Sequence, residues 1–173
     1  MKTKQIFNSM QVISWVIFIG LCVKVGALIL SFFVSLFKSH EATKDLYLGL
    51  DLSGLYDFNI SHYVVVILLI ILITSLKAYM FYLVIKIFKI IDYNKPFKIG
   101  VSNLVSRISY VSLFTALIAF VASAYSIWLT NKIFFIKVNW GASEFLFMAG
   151  VIFVLAELFK RAIQIQTEND LTI

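Results

Sequence analysis

The stretch HYVVVILLIILITSLKAYMFYLVIKIFKIIDYNKPFK, residues 62–98, determines how the rest of the chain is arranged. Between residues 63 and 85 it is strongly apolar, and Lys77 is the only charge. A helix that crosses the hydrocarbon core needs about 20 predominantly apolar residues, so this part predicts a transmembrane helix. The second part contains the only proline, Pro96, and is typical of a basic loop that stays in the cytoplasm. Its lysines are Lys86, Lys89, Lys95 and Lys98.

The composition excludes a soluble globular domain. Of the 173 residues, 61% are hydrophobic and only 14% are charged, whereas a soluble domain has about 25% charged residues. The net charge of +6 does not indicate nucleic-acid binding, because the basic residues cluster beside the apolar runs, where membrane orientation explains them. We therefore expect one membrane domain, residues 1–173, that contacts the lipid bilayer and does not bind nucleic acid directly.

Four apolar runs predict an all-α integral membrane protein, a bundle of four transmembrane helices. The predicted helices cover residues 12–37, 63–88, 108–128 and 144–162. Loops at 38–61, 89–107 and 129–143 join them, and a polar tail follows at 164–173. The first run is far longer than the apolar core of a signal peptide, about 7–15 residues, so we expect it to remain uncleaved.

The distribution of Lys and Arg predicts the orientation. Nine of the 15 lie at the N-terminus, around the loop 89–107 and on the C-terminal side, whereas four lie in the other two loops. Cytoplasmic segments carry the excess of basic residues. We therefore expect both termini and the loop 89–107 in the cytoplasm, and the loops 38–61 and 129–143 outside.

The two outer loops each contain an apolar segment. In residues 46–52 leucines alternate with other residues, a period of two that favours an extended segment. Residues 133–140 form a second apolar and aromatic patch. As a hypothesis, these segments pair as a small β-element that covers the bundle.

Small residues recur on the predicted helices at spacings that suit close helix packing. The third helix carries a complete heptad series, the fourth repeats alanine every seven residues, and the first has small residues along one face. Such stripes let helices in lipid approach closely, so we interpret them as packing surfaces rather than as the lining of a pore. The stripes are Ser109, Ser112, Ala116, Ala119, Ser123 and Ser126; Ala142, Ala149 and Ala156; and Gly20, Ala27, Ser31 and Ser35.

Lys24 and Lys77 are the sharpest candidates for a functional site, because both lie near the middle of apolar runs. A lysine at this depth costs about 2.5–3.5 kcal/mol on insertion scales, so it normally faces protein or water. Helical side chains lean towards the helix N-terminus, which brings the two ammonium groups to a similar depth. One interpretation is a buried cationic site for an anion, a lipid headgroup or a proton. The other is snorkelling, or capture by hydroxyls such as Thr74 and Ser75.

Glu157 is the only acid well inside a predicted helix and completes the candidate buried polar site. One interpretation pairs it with Lys24 or Lys77 across helices. The other is a local pair with Lys160 or Arg161, which follow at three and four residues.

No motif supports catalysis, a cofactor or a metal. The sequence has no glycine-rich phosphate loop and no G-x-S-x-G nucleophile motif. His40 and His62 do not have a recognised metal-ligand spacing. We therefore expect a protein that is not an enzyme.

The cytoplasmic loop is a candidate contact surface because basic and aromatic residues alternate in it. It could bind acidic lipid or a protein partner, although topology by itself also accounts for its charge. The candidate contact residues are Lys89, Lys95, Phe97 and Lys98.

Several short motifs, taken in order, resemble a family of bacterial membrane proteins called domain of unknown function 2975. The motifs are YLGLDLSGLY (47–56), KIF (86–88), NKPF (94–97), ISY (108–110) and ENDLTI (168–173). The resemblance implies a four-helix protein of the bacterial inner membrane and a small helix-turn-helix regulator as a partner. It implies no catalytic residues.

Together these observations predict a non-enzymatic membrane protein that acts through protein or lipid contacts as a regulatory or sensory component. The alternative is a small oligomeric transporter or channel-like carrier that uses Lys24 and Lys77. No proline interrupts any predicted span, which argues against the broken helices that many transporters use.

Overall fold

Four long helices form the protein, as the apolar runs predict. The computed structural model describes residues 2–91, 98–132 and 138–171. Each of the four has the length and the apolar composition needed to cross a membrane. In chain order the elements are α1 (Lys2–Phe37), a 3₁₀ helix (His40–Thr43), α2 (Ser53–Phe58), α3 (Ile60–Ile90), α4 (Ile99–Lys132) and α5 (Ala142–Leu171).

The helices are longer than the predicted spans. α4 begins at Ile99, so part of the predicted loop 89–107 is helical, and α5 continues through most of the predicted tail 164–173. Hydropathy marks where a helix enters lipid, whereas backbone hydrogen bonds continue into the polar region. The 31 residues of α3 span about 46 Å, against roughly 30 Å of hydrocarbon.

The four long helices lie in a row that follows the sequence. α1 packs on α3, α3 on α4, and α4 on α5, and in the described residues no backbone contact joins α1 to α5. The outer faces are strongly apolar; Leu30 of α1 and Phe147 of α5 are 69% and 75% exposed. Such faces suit lipid as their solvent, so the bundle is an open one.

The contact between α4 and α5 confirms the packing interpretation of the small residues. The Ser109 hydroxyl donates to the Ala149 carbonyl at 3.0 Å, and the Ser112 hydroxyl donates to the Phe145 carbonyl at 3.1 Å. Such bonds between a side chain and a neighbouring helix backbone require the close approach that small residues allow. On α1 the stripe packs only in part, because Gly20 has open space around it.

The segment between α1 and α3, residues 38–59, folds back over the bundle. Leu46, Leu52 and Leu55 are buried in the main hydrophobic core. The Leu52 amide donates to the Thr43 carbonyl at 3.0 Å, which closes the segment into a loop. The amide and the hydroxyl of Ser53 both donate to the Asp51 carboxylate, and these hydrogen bonds hold the pKa of that carboxyl below its usual value.

The prediction of an extended β-segment at residues 46–52 is wrong. Leu48 has φ 47° and Gly49 has φ 83°, and the Leu46 amide donates to the Leu50 carbonyl at 2.9 Å. The leucines therefore alternate around a tight turn instead of along a strand. Of the second segment, 133–137 lie outside the described residues, and 138–140 are not in a strand.

The two ends of the bundle differ. One end holds residues 38–59 and 138–141, and we call it the capped end. The other end, where α1 and α4 begin and α3 and α5 end, is called the basic end because Lys86, Lys89 and Lys98 lie there.

Enlarging Ala149 should loosen the α4–α5 contact. Ala149 is 3% exposed, and overpacking a filled site costs about 1–3 kcal/mol. We expect Ala149→Leu to lower the thermal midpoint of the purified protein in detergent by several degrees. The matched control is Gly150→Leu, because a side chain at Gly150 meets open space; an equal loss in both variants would contradict the assigned interface.

Candidate functional site

Lys24 and Lys77 line one cavity of about 380 Å³ between α1, α3 and the capped end. The two lysines come from different helices, and the structure brings their side chains to the same cavity. The remaining lining residues are Tyr47, Leu48, Gly49, Leu50, Ile70, Ile73, Thr74, Val138, Asn139 and Trp140.

Each lysine ammonium rests on an aromatic ring. The Lys24 Nζ lies 5.4 Å from the centre of the Tyr47 ring, and the Lys77 Nζ lies 5.1 Å from the centre of the Phe145 ring. The negative face of a ring attracts a cation by about 0.5–2 kcal/mol. The rings hold the ammonium groups in place but accept no hydrogen bonds of ordinary strength, so the donors of both lysines remain available.

The described residues give neither ammonium a carboxylate partner. No Asp or Glu is among the described residues that line the cavity. Among the described residues, Lys24 repels the Lys77 ammonium, and Glu144, in the first turn of α5, attracts it. The cavity is therefore electrostatically positive, and an anion would relieve the repulsion between the two lysines.

The hydroxyl interpretation accounts for less of the geometry. The Thr74 hydroxyl donates to the Ile70 carbonyl at 2.7 Å, and the Ser75 hydroxyl donates to the Ile71 carbonyl at 2.8 Å. Both oxygens keep lone pairs, but the described residues show no hydrogen bond from either lysine to them. Snorkelling is also a weaker explanation, because both lysines are half-buried against protein.

The walls of the cavity at the capped end are tied to the helices. The Trp140 indole donates to the Ser126 hydroxyl at 2.9 Å, which fixes residues 138–141 to α4. The Asn139 side-chain oxygen accepts from the Gly141 amide at 2.9 Å. Gly141 has φ 67°, a conformation that favours glycine and lets the chain turn into α5.

Glu157 does not belong to this site. Its carboxylate accepts from the Lys160 ammonium at 3.3 Å, and both side chains are exposed. The local interpretation of Glu157 therefore describes the structure, and the pair across helices does not form.

The candidate contact loop is only partly described. The Lys89 ammonium lies 5.7 Å from the centre of the Trp15 ring, and Lys98 is exposed just before α4 begins. Lys95 and Phe97 lie outside the described residues.

The two histidines fasten the capped end and lie in different clusters. His40 Nε2 is 2.6 Å from the Asp57 carboxylate, and His62 Nδ1 is 2.6 Å from the Tyr125 hydroxyl. In the described ranges no three His, Cys, Asp or Glu side chains gather as metal ligands would.

Sequence reasoning missed Tyr47, Asn139 and Trp140 as cavity walls. They reach the lysines only because residues 38–59 and 138–141 fold inward. A basic residue inside a span indicates that protein or water surrounds its charge, but no local sequence pattern identifies the loop residues that do so.

The fold and the cavity define a class, the multi-pass α-helical membrane protein with four spans. The chain belongs to the family described as "Protein of unknown function (DUF2975)", whose model matches residues 52–173. The matched region includes Lys77 but begins after Lys24 and Tyr47. No curated protein and no solved structure matches the chain significantly.

Thiol chemistry should show that the cavity contains water. In a Cys22→Ser background we expect Thr74→Cys, which changes the side-chain volume little, to react with a small anionic thiosulfonate. Water and positive charge favour the reactive thiolate. Because the two lysines also attract negative charge, the anionic reagent should react faster than a cationic one. Leu68→Cys, on the exposed face of the same helix, is the control; equal inertness of both cysteines would exclude a hydrated cavity.

Proposed function

We propose that this protein is a non-enzymatic sensory or regulatory component of the bacterial inner membrane that binds a small anion between Lys24 and Lys77. The observation that carries the proposal is the convergence of two ammonium groups, from two helices, on one cavity whose described lining has no acid. Two like charges at this depth are costly, and a bound anion offsets that cost by interacting with both.

The chemistry of the cavity favours an anion with several oxygens, such as a phosphate or carboxylate group. Each ammonium offers up to three donors, and the rings beneath them leave those donors unused. The described lining has no Asp or Glu that would pair with a cationic ligand. Ile70 and Ile73 form apolar walls of the cavity, which disfavour a large, strongly hydrated ligand.

The helices that carry the lysines connect the cavity with the basic end. Lys77 and Lys89 belong to one uninterrupted helix, α3, and Lys24 lies on α1, which packs along it. An anion that draws the two lysines together changes how α1 packs on α3. We propose that a protein partner reads this change at the contact loop, and the helix-turn-helix regulator implied by the family resemblance is a suitable candidate.

The proposal places the capped end outside the cell and both termini in the cytoplasm, in keeping with the excess of basic residues at the opposite end. In a Cys22→Ser background, Leu48→Cys should react with a membrane-impermeant thiol reagent on intact cells. Ile99→Cys should react only after the cells are permeabilised. Leu48 and Ile99 are 86% and 67% exposed, so access is not limiting; the reverse pattern would invert the orientation.

Anion binding should stabilise the protein through the two lysines. At a free ligand concentration ten times Kd, binding adds roughly 1.4 kcal/mol of stability, which raises the thermal midpoint by a few degrees. We expect inorganic phosphate, compared with chloride at equal ionic strength, to produce this rise in the wild type and not in Lys24→Met/Lys77→Met. The control Lys44→Met/Lys160→Met removes two exposed lysines and should keep the rise.

A flux measurement separates the sensor from a carrier. Proteoliposomes that hold the wild-type protein should not accumulate labelled phosphate above empty liposomes. Uptake that disappears in both Lys24→Met and Lys77→Met would replace the proposed sensor with a transporter that uses the same cavity.

A further inference from the structure

Four aromatic side chains form a continuous row across α1 and α3 towards the basic end. The Trp15 and Phe18 ring centres are 5.9 Å apart, those of Phe18 and Tyr82 are 6.1 Å apart, and those of Tyr82 and Tyr79 are 6.3 Å apart. The middle contact joins the two helices. The row therefore runs across the helix layer rather than along a single helix.

Three cations lie on these rings and come from two helices. The Lys89 Nζ is 5.7 Å from the Trp15 ring centre, the Lys86 Nζ is 4.8 Å from that of Tyr82, and the Arg107 guanidinium is 5.7 Å from that of Tyr79. All three cationic side chains are exposed. We call the seven residues together the cation-aromatic belt.

The belt lies on the opposite side of α3 from the anion cavity. At about 100° per residue, Tyr79, Tyr82, Lys86 and Lys89 fall within one arc that faces away from Lys77. The belt and the cavity are therefore separate surfaces, and the belt does not depend on the proposed function of the cavity.

The helices that carry the belt cannot neutralise it. α1, α3 and α4 contain no Asp or Glu anywhere in their sequences. In the described residues the belt cations form no salt bridge, and Glu157 of α5 is engaged by Lys160. Three exposed positive charges thus remain on this side face of the helices.

That position suits the headgroup of an acidic phospholipid. Aromatic side chains are enriched where the hydrocarbon meets the headgroups, and each basic residue near an acidic membrane surface contributes about 1 kcal/mol of attraction. We propose that the cation-aromatic belt binds the phosphate headgroup of an acidic phospholipid in the leaflet at the basic end. The rings position the cations side by side, and the lipid tails lie along the apolar faces of α1 and α3.

Native mass spectrometry or nanodisc titration with phosphatidylglycerol, against phosphatidylcholine, tests this site. Each lysine or arginine near the surface contributes roughly a fivefold preference for acidic lipid. We therefore expect Lys86→Gln/Arg107→Gln to reduce the preference for phosphatidylglycerol by a factor of at least about five. The matched control is Lys160→Gln/Arg161→Gln, which also removes one lysine and one arginine near the basic end but none from the belt. An equal loss in both pairs, or no loss in either, would overturn the proposal.

Further variants separate positioning from charge and from folding. Tyr79→Leu/Tyr82→Leu keeps every charge, and we expect it to lower the preference for phosphatidylglycerol by a smaller factor than the charge removal does. Thermal unfolding in a zwitterionic detergent shows whether each variant is folded; if Lys86→Gln/Arg107→Gln is not, the single variant Lys86→Gln takes its place. Loss of self-association without any change in phosphatidylglycerol preference would assign the belt to a second copy of the chain and would overturn the lipid site.

Discussion

Lipid cannot hydrogen-bond, and this constraint determines the shape of the protein. Each span satisfies its backbone within its own helix, so the helices must be held together by close packing and by a few polar contacts between them. The serine hydroxyls of α4 that donate to carbonyls of α5 are such contacts. They require small residues at the interface, and the spacing of those residues places α5 against α4.

The same constraint explains why the cavity forms where it does. In the described residues α1 contacts only α3 among the long helices, and the cavity lies beside that contact. Leu46 and Leu52 anchor residues 38–59 over that space, and Trp140 anchors residues 138–141. Without these two inward-folding segments, the lysines would face lipid.

Cations serve different purposes on the two sides of α3. Lys77 lies half-buried in a cavity that Lys24 also lines, where charge is costly and the proposed anion would offset that cost. Lys86 lies exposed on a tyrosine ring, where the acidic surface of the membrane can neutralise it. Under the two proposals, α3 presents an anion-binding surface on one side and a lipid-binding surface on the other, so both signals would combine in this helix.

The sequence by itself determined the class, the number of spans and the α4–α5 packing stripe, because these depend on hydropathy and on local helical spacing. It also identified Lys24 and Lys77, since a charge in an apolar run is conspicuous wherever it packs. Only the tertiary structure decided that Glu157 stays local, that residues 46–52 turn instead of forming a strand, and that Tyr47 meets Lys24. These outcomes depend on how loops fold onto helices, and alternation in a short segment fits a turn as well as a strand until its burial is known.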